Sequence, residues 1–153
     1  MPNQATVDWT AGKKTVADLG EIRKEYSEVR EFVASPDGER IAVVVRKDDD
    51  VVGVCVNGQV WEQDLEKAWH LAFGPDNRLT ALVRVDDEWT VAVDGELWEE
   101  RYEFVWNTKF SADGSRIAAQ MKQDMRYGVS VNGQAWETLY ASCRDYALSG
   151  DGE

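Results

Sequence analysis

Four polar residues recur at one phase of the chain: Glu31, His70, Asn107 and Asp145, each three residues before a terminal Phe or its equivalent. Two carboxylates and an imidazole are the groups that general acid–base chemistry uses. Facing a common channel, they could also ring a cation or a small polar ligand. A solvated channel wall is the simpler reading of the same pattern. His70 is the only histidine, so any Ser-His-Asp device must use it, and no Gly-x-Ser-x-Gly elbow accompanies it. Asp48-Asp49-Asp50 and Asp86-Asp87-Glu88 are hard-cation ligands by type, but Lys122-Gln123-Asp124 stands in their place in the third copy and the spacing is not that of an EF-hand. They read as solvated turns. Cys55 and Cys143 form no CxxC or CxxH pair and read as small buried apolar residues. Walker A and dinucleotide glycine patterns are missing, and so is a ligand set for haem or iron–sulfur, so neither metal nor cofactor is expected.

What must position these residues is a repeat. A turn signal recurs as Ser35-Pro36-Asp37-Gly38, Gly74-Pro75-Asp76-Asn77, Ser111-Ala112-Asp113-Gly114 and Ser149-Gly150-Asp151-Gly152, spaced by 39, 37 and 38. A second marker keeps the same beat, with Asn57-Gly58 before Trp61-Glu62, Asp94-Gly95 before Trp98-Glu99, and Asn132-Gly133 before Trp136-Glu137. Asn-Gly and Asp-Gly suit two-residue hairpins, whose central residues both need positive φ. The Asp of each turn signal (Asp37, Asp76, Asp113) is suited to bond its own turn backbone. Between the markers lie short apolar runs such as Arg40-Ile41-Ala42-Val43-Val44-Val45 and Val52-Gly53-Val54-Cys55-Val56. Four strands in about 38 residues, repeated, predict an all-β fold of propeller blades.

Three repeats, at about 35–73, 74–110 and 111–148, leave one blade's worth divided between 1–34 and 144–153, so all 153 residues make one domain of four blades. A shift of 38 sets 15–17 on a strand and Arg23 at the Trp position, and Arg144-Asp145-Tyr146-Ala147-Leu148 supplies the missing first strand. Three closures are open: a four-bladed ring within the chain, half of an eight-bladed ring made by two copies, or part of a longer propeller. Trp61, Trp98 and Trp136, once per blade, are expected to bridge neighbouring blades. Trp69, Trp106 and Trp9 fall outside that requirement and are the candidates for a partner surface.

The net charge of −12 argues against nucleic acid and anionic lipid as partners. With 43% hydrophobic residues and seven Trp, the chain has the apolar mass for a packed core in spite of 30% charged residues. No apolar run is long enough to span a bilayer, and the first residues lack a basic start and an apolar h-region, so a cytoplasmic location is expected.

The segment Ser-Pro-Asp-Gly-x-x-Ile-Ala at 35–42 resembles the WD40-like repeat of TolB-type β-propellers. The chain departs from true WD40 repeats: no Gly-His opens a blade, and Trp-Glu stands near the place of Trp-Asp. The recurrent Asn/Asp-Gly-x-x-Trp-Glu and the tryptophan content resemble the tryptophan-rich D subunits of the transmembrane redox complex (Tmc) of sulfate-reducing bacteria. That resemblance implies a cytoplasmic accessory subunit whose partners are other subunits of a membrane electron-transfer complex. The function expected is a non-enzymatic scaffold or protein-interaction module. A propeller hydrolase or lyase using Glu31, His70 and Asp145 at the channel mouth is the alternative.

Overall fold

In the computed structural model residues 10–150 are described, and they form three four-stranded antiparallel sheets and one short helix. The first sheet runs β1 (Val29–Ala34), β2 (Ile41–Asp48), β3 (Val51–Val56), β4 (Gln59–Val60). The second is β5 (Lys67–Phe73), β6 (Leu79–Val85), β7 (Glu88–Val93), β8 (Glu96–Leu97), and the third β9 (Phe104–Phe110), β10 (Ile117–Gln123), β11 (Arg126–Val131), β12 (Gln134–Ala135). Sheet and sequence repeat are out of phase by one strand. The run before each Pro-Asp-Gly-type turn pairs with the run after it, so Lys67–Phe73 belongs with Leu79–Val85 and not with the preceding hairpin.

Strand alternation explains the stacking. Ala42 and Val44 of β2 pack toward the second sheet, whereas Val43 and Val45 point the other way. In β6, Ala81 and Val83 meet the first sheet and Leu82 meets the third, where Ala119 and Met121 of β10 receive it. Both faces are covered, which is why these strands read as unbroken apolar runs. The Asn-Gly and Asp-Gly hairpins have both residues at positive φ (Asn57 49°, Gly58 87°; Asp94 48°, Gly95 88°; Asn132 49°, Gly133 84°). Each Asn or Asp also accepts a bond from the first residue of the second strand: Ile41 N at 2.8 Å, Leu79 N at 2.9 Å, Ile117 N at 2.9 Å.

The Trp after each of the first two hairpins reaches the next sheet. A β-carbon at Gly95 would lie 3.3 Å from Trp61 Cδ1, and one at Gly133 would lie 3.1 Å from Trp98 Cγ, so the indoles rest on turns that only glycine leaves open. Four residues further on, Leu65 and Tyr102 are buried in the same two seams. The Tyr102 hydroxyl lies 2.8 Å from Ser130 Oγ of the third sheet, and burial pushes its phenol well above the ordinary value. Trp136 and Tyr140 are the third copies of this pair. They have no following sheet, and are 43% and 51% exposed.

The ends differ from the sequence expectation. Among the described residues there is no fourth sheet, and neither 15–17 nor 144–148 forms a strand. Instead Leu19–Glu25 is a helix, α1, started by Asp18, whose carboxylate accepts from Gly20 N and Glu21 N. Leu19, Ile22 and Tyr26 pack on Val43, Val45 and Cys55, the outer face of the first sheet. Ile22, not Arg23, therefore holds the Trp position, and Tyr26 holds that of Leu65: the first period is 39, not 38. Beyond the third sheet, the Tyr146 hydroxyl lies 2.6 Å from Asn107 O and 2.8 Å from Ala118 O, and Gln120 Nε2 donates to Cys143 O at 2.9 Å. Cys55 is fully buried; Cys143, expected buried as well, is half-exposed in this C-terminal segment.

The seams set unequal costs for equal substitutions. Trp98→Ala should lower unfolding free energy by about 2–3 kcal/mol, somewhat below the roughly 3–5 kcal/mol of a fully buried Trp. Trp136→Ala, at an open face, should stay within about 0.5 kcal/mol of wild type. Urea unfolding followed by circular dichroism measures both, and equal losses would contradict the seam account.

Candidate interaction surface

Each sheet's first strand carries a bulge, and each bulge has one non-glycine residue in the left-handed region: Glu31 (φ 55°), His70 (52°) and Asn107 (54°). His and Asn tolerate that region better than most side chains. Glu31 is held there by a bond across the seam, its Oε2 accepting from Leu71 N at 3.1 Å. Three of the four channel candidates are thus equivalent in backbone. Asp145, the fourth, lies on the C-terminal segment and has no positive φ.

Two of the four side chains bond one another. Asn107 Nδ2 donates to Gln120 Oε1 at 2.6 Å and to Asp145 Oδ1 at 3.0 Å. Asp145 also accepts from Lys109 Nζ at 2.6 Å and Tyr146 N at 2.8 Å. The Lys109 ammonium bond, then those from Tyr146 N and Asn107, hold the Asp145 carboxyl at about 2. A group so acidic stays ionised and is no proton donor at neutral pH. His70 is exposed, its ring 6.5 Å from that of Trp69 at 66°.

The turn aspartates are tied locally. Asp37 accepts from Glu39 N at 3.0 Å, Asp76 from Arg78 N at 3.1 Å, and Asp113 from Ser115 N at 2.9 Å. The same turns reach across the seams: Arg40 donates to Asn77 O, Asp37 N to Asn77 Oδ1, and Arg78 to Gly114 O.

One partly exposed feature is aromatic. Trp69 on β5 meets Trp89 on β7 edge-on at 6.3 Å, Trp89 meets Phe104 on β9 at 5.3 Å, Phe104 stacks on Trp106 at 5.7 Å, and Trp106 meets Tyr127 on β11 at 6.2 Å. Five rings form a continuous ladder over the second and third sheets, with Trp69 40% and Phe104 36% exposed. Trp69, Trp89 and Phe104 line a cleft of about 760 Å³ together with Arg30, Glu31 and Arg46. Three neighbouring pairs of opposite charge are in contact: Arg46 with Glu28 at 2.9 Å, Arg84 with Glu66 at 3.4 Å, and Lys122 with Glu103 at 3.8 Å.

Two of the three partner-surface candidates, Trp69 and Trp106, lie in this ladder. Trp9 lies outside the described residues. Sequence reasoning missed Trp89, Phe104 and Tyr127. The signal was available, because Trp89 and Tyr127 occupy the same place in successive repeats, but a count of Trp alone hides the Tyr. It also missed the carboxylates of Glu66 and Glu103, which bond Asp87 N at 2.9 Å and Asp124 N at 3.0 Å in matching turns.

Among the described residues no group of three or more His, Cys, Asp or Glu side chains could hold a metal ion, and no helix is long and apolar enough to cross a membrane. Comparison with protein-family models, with curated proteins and with solved structures gives no match.

Two exposed carboxylates set a pH dependence. Ser115 hydroxyl and N–H bonds, with a bond from Ser111, hold Asp113 at about 2, as Lys109 does most strongly for Asp145; the ordinary value is 3.8. Their folded values lie below the unfolded one, so the unfolded chain binds more protons between them. The stability they give is present above about pH 4 and lost toward pH 2. Asp113→Asn and Asp145→Asn should each flatten the fall in urea midpoint between pH 5 and pH 2.5, and an unchanged profile in both would contradict these contacts.

Proposed function

We propose that this chain is a non-enzymatic interaction module of β-propeller type, and that the ladder of Trp69, Trp89, Phe104, Trp106 and Tyr127 is its protein-binding surface. The observation that carries this reading is five contiguous rings left partly open beside oppositely charged pairs in contact. Large rigid aromatics of this kind dominate protein interfaces at low entropic cost. The three sheets are read as three blades, with the fourth position shared by the two terminal segments. Support comes from α1 covering the first sheet's outer face and residues 143–146 covering that of the third. The resemblance to redox-complex D subunits makes a subunit of a membrane electron-transfer complex the expected partner. The electron-carrying groups would then belong to that partner, and this chain would supply surface.

A photo-crosslinking amino acid placed at position 69 or 106, in the source cells, tests the reading against the same substitution at Glu62. One discrete protein adduct shared by 69 and 106, and missing at 62, is expected. No adduct at either position would overturn the proposal. So would turnover of a hydrolase or lyase substrate that His70→Ala abolishes.

A further inference from the structure

The two internal seams use one device. A Trp rests on the next sheet's glycine turn, and a Leu or Tyr four residues later is buried behind it: Trp61 on Gly95 with Leu65, then Trp98 on Gly133 with Tyr102. Each end of the stack holds half of this device. At the trailing end, Trp136 and Tyr140 are exposed and set edge-to-face at 6.4 Å. At the leading end, among the described residues, a β-carbon on Gly58 would meet nothing within 4 Å, so no described indole rests on the first hairpin turn. Behind it, the seat made by Val43, Val45, Cys55 and Val60 is filled by α1, with Ile22 in place of the Trp and Tyr26 in place of the Leu or Tyr.

We propose that the leading face of one chain is a docking site for Trp136 and Tyr140 of a second copy, and that α1 is an internal plug occupying that site. The occupant follows from continuity with the seams already present: Tyr26, Leu65, Tyr102 and Tyr140 recur at spacings of 39, 37 and 38, and the first three pack in equivalent seats while Tyr140 is left without one. Residues 143–146 are the matching plug at the trailing end. There Asn107 Nδ2 donates to Asp145 Oδ1, so the bulge residue of the third sheet bonds the following segment, as Glu31 does in the first seam by accepting from Leu71 N. Docking therefore exchanges two short plugs for a full sheet-to-sheet seam. The contact joins head to tail, so copies either close into a ring or extend.

The test releases the plug in the full chain. Ile22→Asp places a charge in an apolar seat and should shift the mass by light scattering from 17.3 kDa to two chains or more, rising with concentration. Adding Trp136→Ala and Tyr140→Ala should return it to one chain. An Ile22→Asp chain that is folded by circular dichroism and stays at one chain would overturn the proposal. Association that persists in the triple variant would do so too. Should Ile22→Asp unfold the protein, cross-linking of otherwise intact chains decides. In a Cys143→Ser background, chains carrying Gln59→Cys are mixed with chains carrying Glu137→Cys, which keep Trp136, in oxidised glutathione, so that a disulfide traps each release of the plug. A disulfide-linked pair is expected well above that formed with Glu88→Cys chains, and an equal yield would sink the idea.

Discussion

An indole lying on a turn that has no β-carbon is the contact on which the architecture rests. Every sheet here has two apolar faces, and a four-stranded sheet with both faces bare would expose more hydrocarbon than its hydrogen bonds could offset. Stacking solves this only if neighbouring sheets come close enough to exclude water, and Gly95 and Gly133 set that approach. The same glycines also allow the hairpin, at φ of 88° and 84°. One residue type thus meets a backbone demand and a packing demand. The Leu or Tyr behind each indole then fills the seam, and the turn-to-turn bonds of Arg40 and Arg78 fix its rim.

Much of this was legible in the sequence, because turn chemistry and period are local properties. The Asn-Gly and Asp-Gly pairs fall at two-residue hairpins, and the unbroken apolar runs fall on central strands. What was not legible lay at the termini. Asp18 and the spacing of Leu19, Ile22 and Tyr26 do signal a helix, but seven residues are too few to stand out over a dozen-residue window. A shift of 38 put Arg23 in the core, where the structure puts Ile22. The spacing of 39 between Ser35 and Gly74 held the correction, since Ile22 and Tyr26 likewise stand 39 residues before Trp61 and Leu65.

The candidate surface was half legible. Trp69 and Trp106 stood out because no framework role claimed them. Trp89 and Tyr127 become neighbours of those rings only after β7 and β11 fold back beside β6 and β10, a consequence of cross-strand register: Trp89 opposite Arg84, Tyr127 opposite Lys122. Three of the polar residues grouped by sequence phase share a bulge position, Glu31, His70 and Asn107. Their bonding could not be read from that phase, because Asn107 and Asp145 meet through the C-terminal segment rather than through a strand.

The three bulges bear on how such a stack can diversify. At Glu31, His70 and Asn107 the backbone, rather than the side chain, fixes the direction in which the side chain leaves the strand. Three different chemistries have been accepted at that point without disturbing the ladder on either side. Each sheet therefore offers one position where an acid, a base or an amide can be written in independently of its neighbours. The stack is a frame with one addressable letter per sheet.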